Sequence, residues 1–596
     1  MKLPSFSYLV GMAKNSFSRF YATLLFAICG SYIGMLMVND NAGSNIGALL
    51  SCSLGLSLSL AFTLFAERQG NKNLRHILSV ATVGLTWAYW HWLAPTNEFE
   101  DISRTITYFV LVVVTHLMVA VAPYIGHNER KGFWRYNQLL FSRFILSGIF
   151  SAALFGGLAL AIGASDKLFD LNVNSDLYVY LWIAVAGVFS TWFFVAGIPA
   201  DYKDLNEERV FPVMLKIFVQ FILIPLVFLY MVILYAYGMK ILFTWQLPRG
   251  MVSTLIMSYS VVGILAVLLS EPLRTDALAA WVRLFARIFF RATLPLIVLL
   301  YAATWARVGK YGITESRYFL SLLGLWLGII SLYFVFSKEQ NIRIIPRTLI
   351  VIGLLSVLGP WSAFSVSAFS QRLRLEHIMK KYHLAHAAEG KGVSMSTTDA
   401  TEVDAIISYF VERNAVEKLQ PLFAEPLAKV VKEIAPVTNE RGRYSWDERR
   451  QLEKKLDLMI CTTVPGKAET ENVIRSFNCN DGTTGFNISG YNRAHELRLW
   501  GRSDAADLSD SMSVQLKQDE KVVLLDITRN GSPREQIDLK PLLNRLLVAK
   551  DGDLPADSLT IVGQGDLRAK VIIRSINLSG ENEAPINSLD ALILFR

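Results

Sequence analysis

Few residues in the apolar part of this 596-residue chain could do chemistry, and their spacing limits what kind. His116 lies in the middle of "VVVTHLMVA", where an ionisable ring marks a candidate substrate or ion pathway, such as a proton relay. No carboxylate lies at matching depth, so the competing reading is a neutral ring hydrogen-bonded to a neighbouring helix. Arg283, Arg287 and Arg291 recur every four residues in "WVRLFARIFFRATLP". That spacing puts them on one helical face, suited to lipid headgroup contact at the interface; a voltage-sensing stripe would need more of them inside the bilayer. His383 and His386 with Glu389 could line one helix face, but with no fourth ligand or nearby cysteine no metal is assigned. Glu98, Glu100 and Asp101 could hold a divalent cation through oxygen, or simply form a solvated acidic loop. Cys461 and Cys479 would close a disulfide loop of about eighteen residues, worth on the order of 3 kcal/mol, if they lie in an oxidising compartment. Cys29 and Cys52 read as small packing residues.

The motif search adds little chemistry. The chain has no Gly-rich phosphate loop ending in Gly-Lys-Ser/Thr, no Gly-x-Ser-x-Gly elbow and no His-Glu-x-x-His. The reading therefore leans away from an enzyme, and no cofactor is expected.

The elements that must position these residues are mostly membrane-spanning. Hydrophobic residues make up 53% of the chain and mean hydropathy is +0.37, too apolar for a soluble protein of this length. About 20 apolar helical residues cross a bilayer core. Eleven runs meet that need: 19–38, 46–66, 77–94, 106–122, 139–162, 177–198, 212–237, 251–269, 285–306, 318–336 and 349–369. Pro225 and Pro295 fall inside such runs and predict kinks. Gly47, Ser51, Gly55 and Ser59 form a small-residue ridge for close helix contact, with a polar pathway as the other reading.

The formal net charge of +8 is concentrated in short connections beside apolar runs, the pattern of a membrane protein meeting anionic lipids. Membrane lipids and envelope proteins are the expected partners, and nucleic acid is not. The connections holding Arg68/Lys72/Arg75, Arg130/Lys131/Arg135/Arg143, Lys203/Arg209/Lys216, Arg274/Arg283/Arg287 and Lys338/Arg343/Arg347 are richer in Lys and Arg than the alternate ones. That bias predicts a cytoplasmic N-terminus and, with eleven spans, a C-terminal domain on the periplasmic side of an inner membrane. One span more or less would reverse the second conclusion.

Three domains are expected: a transmembrane helical domain over 1–369, a helical stalk with amphipathic helices over 370–440, and a soluble α+β domain with a mainly antiparallel sheet over 441–596. Runs such as "MSVQLKQ" with "KVVLLDITRNG", and "AKVIIRSINLSG", carry the strand pattern.

The stretch "YAYGMKILFTWQLPRG" with its continuation "MVSTLIMSYSVVGILAVLLSEP", and "WSAFSVSAFSQRLRLEHIMKKYHL" further on, resemble a family of bacterial polytopic membrane proteins, the domain of unknown function 4153. The resemblance implies architecture and location and carries no catalytic residues. In the stretch itself, Lys240 and Trp245 suit a headgroup interface, and Leu247 to Gly250 suits a type I turn. The leading expectation is a non-enzymatic inner-membrane protein acting in envelope assembly, sensing or partner binding. A secondary transporter or channel is the alternative, and a lipid-linked glycan or envelope-lipid enzyme the third.

Overall fold

The computed structural model describes residues 6–39, 45–93, 102–202, 204–206, 212–244, 251–275, 280–337, 339–388, 392–434, 446–463, 475–479, 491–500, 505–508, 512–519, 522–529, 532–548, 552–563, 565, 567–578 and 586–595. The acidic cluster Glu98/Glu100/Asp101, Glu389 and the predicted turn at Leu247 to Gly250 lie outside them.

The described residues form two compact units, 1–393 with 398–462, and 394–397 with 463–596. The first is helical: α1 Phe6–Asn39, α2 Ile46–Arg68, α3 Lys72–Leu93, α4 Ile102–Val121, α5 Arg130–Phe169, α6 Asp176–Ile183, α7 Ser190–Ala196, α8 Val213–Ile217, α9 Ile224–Thr244, α10 Met251–Leu269, α11 Ala280–Tyr311 and α12 Glu315–Phe336. Then come α13 Ile344–Val357, α14 Ala363–Lys381, α15 Thr397–Glu412, α16 Leu427–Ile434 and α17 Trp446–Ile460. π-helical turns at Ala184–Phe189 and Phe218–Leu223 join α6 to α7 and α8 to α9 into continuous runs. Pro225, the second residue of α9, follows the second of these turns with only Ile224 between.

Among the described residues, nine helices are long and apolar enough to cross a membrane. The polar contacts at their ends sort them further. Arg19, near the start of the membrane-spanning part of α1 (Lys14–Val38), reaches Glu67 at the end of α2 and the carbonyls of Ile198 and Pro199 beyond α7. Arg130 at the start of α5 pairs with Glu271 just after α10, and Arg347 in α13 donates to the carbonyl of Tyr124 after α4. Arg274 reaches Gln340, between α12 and α13. The helices therefore run as five out-and-back pairs returning to one end: α1/α2, α3/α4, α5 with α6–α7, α8–α9 with α10, and α11/α12. α3, too polar to stand among the nine, still makes a full traverse. These are the connections that the Lys/Arg count had assigned to one side.

The expected last span, 349–369, is not one helix. α13 stops at Val357 and α14 begins at Ala363, because Gly359 adopts φ +84° and Pro360 follows it. A residue before proline is pushed out of helical geometry, and glycine adopts the positive φ without the steric cost of a Cβ. α13 is 14 residues long, about 21 Å at 1.5 Å per residue, and delivers the chain to the end opposite the ionic one.

Small residues let the helices close on one another. The α2 ridge packs on α1: Ser59 hydrogen-bonds Thr23 at 3.0 Å, and a Cβ added at Gly55 would stand 2.5 Å from the Phe26 ring. Gly55→Val is expected to cost about 1–3 kcal/mol by overpacking, read as a lowered unfolding midpoint in mixed micelles. An unchanged midpoint would mean that the two helices are not in contact there.

The second unit carries two sheets. One has the order β4 (Arg493–Trp500), β12 (Ile586–Phe595), β11 (Lys570–Leu578), β3 (Arg475–Cys479), β9 (Gly552–Leu554), with β10 (Thr560–Val562) also on β11. The other is a meander of β5 (Ala505–Leu508), β6 (Met512–Asp519), β7 (Val522–Arg529) and β8 (Ser532–Asp538). All pairings are antiparallel except β3 with β9. Strand alternation sends Leu497, Val514, Leu525 and Ile573 into one core with Leu542 and Leu546 of α18 (Lys540–Val548).

Candidate functional site

The richest polar assembly lies at the ionic end of the bundle. Its floor is three buried tyrosines: Tyr124 next to the end of α4, Tyr136 in α5 and Tyr202 beyond α7, with ring centroids 5.7 to 6.3 Å apart. Tyr136 donates to the carbonyl of Val119 at 3.0 Å. The Arg68 guanidinium lies 5.1 Å from the centre of the Tyr202 ring. Burial first, then the Glu67 carboxylate, pushes the Tyr202 phenol above its ordinary range, so it stays protonated and neutral.

Around this floor the charges interlock. Arg19 grips both oxygens of Glu67 at 2.7 Å. Glu129 pairs with Arg68 through one oxygen and accepts from Asn206 at 2.8 Å through the other, while the Asn206 oxygen accepts from Gly132 N at 3.0 Å. Glycine is needed at 132 because a Cβ there would meet that oxygen at 2.5 Å. Glu271 holds Arg130 at 3.1 Å and Arg274 at 2.9 Å. Arg343, only 4% exposed, donates to Asn341, Asn128 and the carbonyl of His127. Guanidinium groups thus outnumber carboxylates, and each carboxylate is already engaged. The arrangement ties connections distant in sequence together, and its three described carboxylates are each engaged by arginine.

A second assembly holds the exit from the bundle. Glu315 opens α12, where a carboxylate also complements the helix dipole, and is 4% exposed. It accepts from the Tyr409 hydroxyl at 2.8 Å and from Arg413 at 2.9 and 3.3 Å, and the guanidinium stacks 4.0 Å from the Tyr409 ring centre. α14 reinforces this junction by capping the α11–α12 turn. Gln371 donates to the carbonyls of Tyr311 and Ile313 at 3.2 and 3.0 Å, and the Ser370 hydroxyl accepts from Ile313 N at 3.0 Å. Arg374 pairs with Glu402 of α15. α14, α15 and α16 share one compact unit with the bundle.

The sites expected from sequence fare differently. His116 is exposed on α4, and its Nδ1 bonds the carbonyl of Val112 at 2.7 Å, one turn back on its own helix. It therefore faces outward from the described helices. Arg283 is half-buried while Arg287 and Arg291 are exposed on α11, positions open to a surrounding bilayer. His383 and His386 do not share a helix face, because α14 ends at Lys381 and His383 turns to φ +56°. No metal-binding cluster of His, Cys, Asp or Glu occurs among the described residues. No disulfide joins Cys461 to Cys479, which belong to different units. The residues that sequence reasoning passed over are Arg19, Glu67, Glu129, Glu315 and Arg413. Glu67 and Glu315 carried a signal, a carboxylate within three residues of an apolar run, which the Lys/Arg count ignores.

Together these features define a polytopic α-helical membrane protein fold joined to an α+β unit. The chain belongs to the family described as Domain of unknown function (DUF4153), whose sequence model matches residues 22–408. That match runs from within α1 through the rest of the bundle, Glu315, α14 and most of α15, and stops short of the sheets. A curated relative, "Uncharacterized protein PM1469" of Pasteurella multocida (strain Pm70), is 25% identical over 324 residues, 50% of this chain and 54% of that protein. The match thus spans about half the length of the relative. No solved structure matches the chain.

Proposed function

We propose that this protein is a non-enzymatic scaffold of the bacterial inner membrane, mounting its sheet unit in the periplasm for envelope assembly, sensing or partner binding. The supporting observation is the Glu315–Tyr409–Arg413 clamp: the helices that follow the last traverse are bolted to the bundle. Hydroxyls inside the bundle pair with one another, Ser57 with Thr115 at 2.8 Å and Ser147 with Ser190 at 2.9 Å, as helix packing requires. Arg283, Arg287 and Arg291 take the role of headgroup contacts at the cytoplasmic face.

Orientation follows from the Lys/Arg-rich ionic end lying in the cytoplasm. In a variant whose native cysteines are replaced, Asp557→Cys is expected to react with a membrane-impermeant maleimide in intact spheroplasts. Gln69→Cys should react only after permeabilisation. The reverse pattern would invert the topology.

One observation favours transport instead. The two π-helical turns fall within apolar runs, and such turns often mark functional sites. Proteoliposomes decide between the readings: the scaffold shows no protein-dependent ion or solute flux, and in-cell cross-linking from the sheet unit yields discrete envelope-protein adducts. Flux abolished by Gly187→Leu or Gln220→Leu, at the two π turns, would sink the scaffold reading.

A further inference from the structure

α1 leaves helical geometry at Phe20, with φ −121° and ψ 35°. A groove of about 700 Å³ follows the bend, walled by Phe17, Leu24 and Ile28 on one side and Val188 and Trp192 on the other, with Lys14 at its end. Val188 belongs to the first π-helical turn. We infer that this groove binds one anionic phospholipid, its phosphate at Lys14 and an acyl chain along the apolar walls.

Four observations converge on that occupant. The walls are almost wholly apolar and belong to helices apolar enough to lie in a bilayer, so hydrocarbon is what surrounds them. Lys14 is exposed and makes no hydrogen bond or ion pair to a described residue, whereas the next cation, Arg19, is consumed by Glu67 and two carbonyls. The path from Lys14 to Ile28 is about 21 Å along a helix, roughly one leaflet including its headgroups. The Trp192 indole N–H beside the groove has no partner among the described residues, and a small rotation of the ring would bring it to an ester carbonyl there. A lysine near a headgroup layer is worth about 1 kcal/mol of attraction to anionic lipid, about fivefold in occupancy.

Native mass spectrometry of the full chain, released from detergent containing phosphatidylglycerol or phosphatidylcholine, tests this. The wild type is expected to retain one phosphatidylglycerol in preference to phosphatidylcholine. Lys14→Gln should reduce that retention about fivefold, to the phosphatidylcholine level, and Lys14→Arg should restore it. Val188→Trp, which fills the groove, should remove the adduct with both lipids. Excess inorganic phosphate should not displace it; displacement would mean an anion site and not a lipid site. Because Lys14 is exposed, Lys14→Gln folds regardless of the groove. Undiminished phosphatidylglycerol retention in Lys14→Gln and Val188→Trp alike overturns the assignment.

Discussion

Glu315→Ala is expected to destabilise the helical unit by about 3–5 kcal/mol, the cost of removing one partner of a buried ion pair. The cause is specific. The Arg413 side chain is 16% exposed and would lose both carboxylate oxygens, and the Tyr409 hydroxyl would lose its acceptor. Glu315→Gln should recover part of the loss, since an amide oxygen still accepts from Tyr409 but no longer neutralises the guanidinium. Arg413→Ala should cost a similar amount, and the double variant less than the two losses added together, because it leaves no orphaned charge. Limited proteolysis supplies the readout that matters for function: cleavage within 382–396, between α14 and α15, should accelerate in each single variant. A double variant whose loss equals the sum of the singles would show that Glu315 and Arg413 act independently.

Arg343→Ala is the second large effect, about 3 kcal/mol or more, from three hydrogen bonds to a charged donor lost in a buried site. Arg343 carries one of the links between the α12–α13 connection and the α4–α5 connection, more than 200 residues away in sequence. Arg343→Lys should rescue little, because a single ammonium on a flexible stem cannot span acceptors arranged for a planar fork. Chemical denaturation in mixed micelles measures both. Full rescue by lysine would show that charge alone is required at this position and would refute the fork geometry.

These two assemblies also mark where sequence reasoning stopped. The helices themselves were legible: the run from Ile46 needs only its length and apolarity to become α2, and Arg68 at its end announces a membrane face. The ridge Gly47/Ser51/Gly55/Ser59 announced close packing, and the structure sets it against Phe26 and Thr23. His116 shows the limit of the same reasoning. Its depth in an apolar run is a one-dimensional fact, but its role depends on which way the helix is rotated. The rotation turns it outward, onto the Val112 carbonyl. The break at Gly359-Pro360 was written in plain residues, yet hydropathy summed over a window averages across it.

What the order of residues determined was therefore the local part: apolar helices of spanning length, the side on which their Lys and Arg fall, and the alternation that makes the C-terminal strands. Each depends on neighbours within a few residues, through helix rise, burial and period-two patterning. Tertiary structure alone decided which charges meet. Arg19 finds Glu67 and the end of α7, Arg343 finds Asn128, and Arg413 finds Glu315. A buried charge must be neutralised or hydrogen-bonded wherever a partner can be brought to it, and only the packing of distant helices says which partner that is.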